Sequence, residues 1–220
     1  MKPARLLHTW EADGEPGSMT LRALILVCTL KPSPAKSSSH LLADQFAAEL
    51  DGQGVETGVV RVRDHDVRFG VSTDEGDGDG WPAIRRQMLD ADLLVLCTPI
   101  WLGQPSSVCK VVLERLNAEI SETDDQGRLL TSGKVAMLGV VGNEDGAHHT
   151  VAECLQALND TGFSVPANAA TYWVGEAMQT VDYQDKEPSP EKTVSAMSTA
   201  VANGVHLADL LKSAAYPPSP

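Results

Sequence analysis

Three stretches of this chain combine residue types suited to holding a ligand, and each follows an apolar run. The first, Thr29 to Ser39 (TLKPSPAKSSS), is rich in hydroxyls and leads into a helical pattern. Free N–H groups in the first turn of such a helix face an anion, and the helix dipole favours its charge. Ser37, Ser38 and Ser39, with Thr29 nearby, would add donors of adjustable direction. The same serines suit simple helix capping, so this stretch alone leaves both roles open. It contains neither Gly-x-Gly-x-x-Gly nor Gly-Lys-Ser/Thr, and therefore fits a monophosphate better than a pyrophosphate. The second stretch, Thr98 to Ser107 (TPIWLGQPSS), sets Pro99, Ile100, Trp101 and Leu102 beside Gly103. Exposing these side chains is unfavourable unless they cover core, a subunit interface or a ligand, and the mixture suits a flat aromatic ring. Core or interface packing is the alternative for Trp101. The third, Gly142 to His149 (GNEDGAHH), offers Asn143 and backbone N–H groups that fit the O2–N3–O4 rim of an isoalloxazine. Here Gly142, Glu144 and Gly146 complete the turn, and Asp145 is equally suited to capping the next helix.

Composition removes several other chemistries. The formal charge is −13, and the 17 Lys and Arg are scattered, so no basic stripe is available to neutralise a nucleic-acid backbone. No apolar run approaches the roughly 20 residues of a bilayer crossing, and the N-terminus, with Glu11, Asp13 and Glu15, lacks a basic-then-apolar leader. A soluble cytoplasmic protein without membrane insertion is the expectation. Cys28, Cys97, Cys109 and Cys154 lie far apart, unlike the paired ligands of zinc or iron–sulfur sites, and read as buried reduced thiols. The acidic run Asp74 to Gly80 lacks calcium-loop spacing and reads as solvated chain.

The elements that must position the three stretches alternate along the chain. Residues 1–20 mix Pro, Gly and charge without periodicity and read as a flexible extension. Strands are expected at Leu21 to Cys28, Val55 to Val62, Ala91 to Cys97, Lys134 to Val141 and Phe163 to Tyr172. Helices are expected at Ser37 to Leu50, Trp81 to Leu89, Ser106 to Ile120, Ala147 to Asn159 and Glu191 to Lys212. Asp64 to Gly80 and Tyr172 to Pro190 read as polar surface segments. One domain over 21–212, followed by a tail at 213–220, accommodates all of this, and 42% hydrophobic residues suffice for its core. Five strands alternating with helices imply a doubly wound parallel α/β sheet with helices on both faces, of order 2-1-3-4-5. In that order ligands sit at the carboxyl ends of the first and third strands, which brings the three stretches to one rim.

The TPIWLGQPSS and GNEDGAHH stretches, with the later TYW, resemble the flavodoxin-like NADPH-dependent FMN reductase family, which includes NAD(P)H:quinone reductases. The resemblance runs from about Leu21 to Leu211. It implies one non-covalent FMN, with its phosphate at Ser37, Ser38 and Ser39 near Thr29. Pro99 to Gly103 would lie along the ribityl chain and ring, and Gly142 to Gly146 would border the pyrimidine end. Cys28 and Thr29 stand where the family often has Gly-Ser. NAD(P)H is the implied electron donor, a quinone, free flavin or similar small molecule the acceptor, and a homodimer or homotetramer the implied assembly. Since the flavin carries the chemistry, no protein acid is required for hydride transfer. His148 is a candidate donor toward N1 and O2, or a solvent-facing residue on the first turn of its helix. Tyr172 and Trp173 are candidates for the acceptor pocket, or ordinary core. The alternative function is a flavodoxin-type carrier that shuttles electrons between protein partners without nicotinamide chemistry. A phosphoacceptor receiver of the same strand order is excluded, because Cys97 and Thr98 stand where its aspartate would be.

Overall fold

The computed structural model describes residues 20–177 and 179–218; the extension expected over 1–20 lies almost wholly outside the described residues. Strands β1 (Arg22–Val27), β2 (Glu56–Arg61), β3 (Leu93–Trp101), β5 (Val135–Gly142) and β6 (Ala170–Val174) form a parallel sheet of order β2-β1-β3-β5-β6. A two-residue strand, β4 (Gln104–Pro105), pairs antiparallel with the end of β3. This is the flavodoxin-like doubly wound arrangement, with six strands where the sequence suggests five.

Period-two alternation sends successive side chains to opposite faces of the sheet. Leu24, Leu26, Leu94 and Leu96 pack on one face with Trp81, Ile84 and Met88 of α2 (Trp81–Asp90), Val112 and Leu116 of α3 (Ser107–Leu116) and Leu158 of α4 (Ala147–Asp160). Ala23, Ile25, Val27, Leu93 and Val95 pack on the other with Leu42 and Phe46 of α1 (Ser38–Asp51) and Met197 and Val201 of α5 (Glu191–Ser213). Because both faces are covered, the central strands are apolar at nearly every position, and that continuity is what makes them readable in the sequence.

Three expectations need correction. The third strand does not stop at Cys97 but continues to Trp101, where the chain folds back through Leu102 (φ 53°) and Gly103 (φ 74°). Two consecutive positive φ values make a type I′ hairpin, whose twist matches that of its strands. The last strand begins at Ala170 rather than Phe163. After a single parallel bridge between Ser164 and Val135 the chain leaves the sheet around Pro166 and left-handed Asn168 (φ 55°) before rejoining it. Finally, the acidic run 74–80 is not solvated chain throughout: the Asp79 side chain is fully buried against Arg115 of α3, 2.7 Å away.

Candidate functional site

The carboxyl ends of β1, β3 and β5 open into a cavity of about 490 Å³, within the range of small-molecule sites. Its floor is tied by Ser106, a fully buried hydroxyl at the N-cap of α3. Ser106 Oγ donates to the carbonyl of Cys28 (2.5 Å) and accepts from the Cys109 N–H (3.1 Å), and the Ser106 N–H donates to Thr98 Oγ1 (3.1 Å). One residue thus fixes the ends of two strands and the start of a helix beneath the cavity.

The first loop forms one end. The earliest bonds of α1 run from the N–H groups of His40 and Leu41 to the Ser37 carbonyl, so the N–H groups of Ser38 and Ser39 have no intrahelical acceptor. Ser37 occupies the N-cap position, yet its side chain caps nothing. Among the described residues neither the Ser37 nor the Ser39 hydroxyl has a hydrogen-bond partner, which argues against simple capping. Ser38 Oγ accepts from the Gln184 N–H (3.3 Å). From behind, Arg61 donates to the Ala35 carbonyl (2.9 Å), and Asp64 accepts from the Ser33 N–H (2.7 Å). Partial burial pushes the Asp64 carboxyl up, but the Ser33 hydrogen bonds and the Arg61 charge hold it below its ordinary 3.8.

Pro99, Ile100, Trp101 and Leu102 form the next wall, with Val141, Gly142, Asn143 and Glu144 beside them. Asn143 Nδ2 donates to Asp182 Oδ1 (2.8 Å), while its buried Oδ1 has no partner. Trp173 completes this side. Tyr172, its neighbour on β6, points to the opposite face, where its hydroxyl lies 3.1 Å from His148 Nε2 and the rings meet edge to face at 5.3 Å.

Thus the structure brings Thr29, Ser37, Ser38, Ser39, Pro99, Ile100, Trp101, Leu102, Gly142, Asn143, Glu144 and Trp173 to one cavity. Gly103, Asp145, Gly146, His148 and Tyr172 are not in its wall. Asp145 does not cap α4 either: the N-cap is Gly146, left-handed at φ 106° and without a side chain to offer.

Sequence reading missed Lys31, which adds a cation near the first loop, and the wall contributed by Gln179, Asp182 and Tyr183. These last three belong to a strap, residues 179–190, that crosses from Asn143 to α1. Tyr183 is fully buried, its ring 5.6 Å from that of Trp173 and its hydroxyl donating to Gln45 Oε1 (2.6 Å). Burial raises its phenol pKa against the opposing hydrogen bonds of Ser189 and Gln45. A lone tyrosine in a polar stretch is the trace that marked it.

Among the described residues no group of three or more His, Cys, Asp or Glu side chains is placed to hold a metal ion, and no helix is long and apolar enough to cross a membrane. All four cysteines are buried free thiols. Cys109 and Cys154 lie 3.9 Å apart. The contact with Cys109 and burial push the Cys154 thiol up; Cys154 pulls the Cys109 thiol down, but Cys28 and burial outweigh it and hold Cys109 well above the ordinary thiol value.

The family model for NADPH-dependent FMN reductase matches residues 21–179. The chain belongs to that family. It is an FMN-dependent oxidoreductase by that membership. The 8-demethyl-8-aminoriboflavin-5'-phosphate synthase of Streptomyces davaonensis is 38% identical over 208 residues, spanning 90% of this chain and 81% of the relative. The crystal structure of RosB with bound intermediate OHC-RP (8-demethyl-8-formylriboflavin-5'-phosphate) is similar at a TM-score of 0.83 and 37% identity, covering 90% of this chain and 82% of that one. A Mycobacterium bovis protein named divalent metal cation transporter MntH is 37% identical over 202 residues, but this chain spans only 30% of its length.

Proposed function

We propose that this cavity holds one FMN non-covalently and that the chain works as an NAD(P)H-dependent reductase of a small acceptor such as a quinone or free flavin. The observation that carries the proposal is a single cavity joining an open helix N-terminus to an apolar slot and a polar edge. The free N–H groups of Ser38 and Ser39, the unpartnered hydroxyls of Ser37 and Ser39, and Lys31 suit a phosphate dianion. Pro99, Ile100 and Trp101 suit the flat ring system. Asn143, whose Oδ1 is buried without a partner, suits the N–H at the pyrimidine edge. When bound, FMN would supply the two-electron chemistry, taking hydride from nicotinamide at N5 and passing it on. The chain's own part is to orient the ring, and Tyr183 and Trp173 keep water from one side of it. Anaerobic mixing of FMN-loaded protein with NADH and with NADPH tests this: loss of the flavin absorbance with either supports it, and an unchanged spectrum with both overturns it.

A second reading is favoured by 38% identity over 90% of the chain to a synthase of an aminated flavin phosphate. In that reading the phosphorylated flavin is the substrate, altered at its C8 substituent. The mass of the flavin released after incubation with dioxygen as oxidant and an added amino-acid amine donor separates the two: an unchanged mass fits the reductase, a changed one the flavin-modifying enzyme.

A further inference from the structure

Glu144 lines the cavity with its neighbours, but one oxygen of its carboxylate is taken up by the adjoining hairpin. Oε1 accepts the N–H of Leu102 at 2.9 Å. Leu102 is the residue that most needs holding. It is the first central residue of the Trp101–Gln104 hairpin, where Asn or Gly is favoured because φ is positive, and it adopts φ 53° with its side chain 92% exposed. The hairpin has little of its own to hold this shape. Its ladder contains only the pairs Ile100–Pro105 and Trp101–Gln104, and Pro105 has no N–H to give. Support comes instead from the start of α4. Gly146 lies so close beneath Gly103 that a Cβ on Gly146 would stand 2.6 Å from the Gly103 Cα, and Gln104 Nε2 meets His149 Nε2 at 2.8 Å.

We infer that Glu144 is a positioning residue that pins the Leu102 N–H, and thereby sets the Trp101 hairpin as the movable wall of the cavity, rather than a residue that binds the ligand. The inference rests on the FMN-site reading for its functional consequence but not for its geometry. Removing the carboxylate frees a strained turn, so the hairpin opens and the aromatic wall is lost for part of the time.

The test uses flavin-free protein and the variants Glu144→Ala and Glu144→Gln. Amide hydrogen exchange over residues 98–106 is expected to speed up about tenfold or more in Glu144→Ala, and to stay near the wild-type rate in Glu144→Gln, whose amide oxygen still accepts. Titration with FMN is then expected to give a dissociation constant about tenfold higher for Glu144→Ala and little changed for Glu144→Gln. Unchanged exchange in Glu144→Ala overturns the inference, as does a Glu144→Gln variant that opens as fully as Glu144→Ala. If wild-type protein binds no FMN while the exchange result holds, it is the function that fails and the pin that stands.

Discussion

Two long loop segments among the described residues, 65–80 and 179–190, hold their shape by opposite means. The first is organised by one buried ion pair. Asp79 accepts from the N–H groups of Glu75 (3.0 Å), Trp81 (3.0 Å) and Arg68 (3.2 Å) as well as from Arg115, and Arg115 donates onward to the carbonyls of Ser72 and Arg68. The second is organised by one buried aromatic, Tyr183, whose hydroxyl donates to Gln45, and by single hydrogen bonds from the Gln184 N–H to Ser38 and from Asn143 to the Asp182 carboxylate, with no ion pair among its described residues. No residue of the first lines the cavity, whereas three of the second do. A buried ion pair here serves the scaffold, whereas an aromatic side chain and single hydrogen bonds serve the wall of the cavity.

Breaking each anchor sharpens that contrast. Arg115→Ala strands the Asp79 carboxylate and is expected to cost about 3–5 kcal/mol in urea unfolding, while FMN affinity of the folded fraction stays at the wild-type level. Tyr183→Ala is expected to cost about 3 kcal/mol and to weaken FMN binding as well. An Arg115 variant that loses the flavin, or a Tyr183 variant that keeps it, would erase the distinction.

The charged anchor also has a pH signature. Burial pushes the Asp79 carboxyl up, but the N–H groups of Glu75 and Trp81 and the Arg115 guanidinium bring it down to about 2, against an ordinary 3.8. A lowered folded value means that this stability is fully present above 3.8 and is lost as pH falls from there through about 2, a contribution of about 2 kcal/mol. Wild type should therefore lose its advantage over Asp79→Asn across that window, measured by chemical unfolding at a series of pH values. Tyr183→Phe, which keeps the ring and removes only the hydroxyl with its bonds to Gln45 and Ser189, is expected to cost about 1 kcal/mol and to leave the strap closed.

What could be read from the sequence follows the same division. Leu24, Leu26, Leu94 and Leu96 announce their strands because each sits in a continuous apolar run of strand length, and the loops after them inherit a position from the strand order. Trp101 was legible as a residue needing a partner, though not as the end of a strand, because its pairing depends on the turn at Leu102 and Gly103. The strap was not legible: the bonds from Asn143 to Asp182 and from Tyr183 to Gln45 link residues 39 and 138 positions apart. Arg115 left a usable trace, since it falls on the apolar stripe of α3 with Val112 and Leu116, where a guanidinium requires a buried acid.

The most direct test of the site is a titration of flavin-free protein with FMN and with riboflavin, followed by flavin fluorescence. Saturable binding of one FMN per chain, with riboflavin at least about tenfold weaker for want of the phosphate that the first turn of α1 would receive, is the expected result. Equal affinity for the two, or no binding of either, would contradict it.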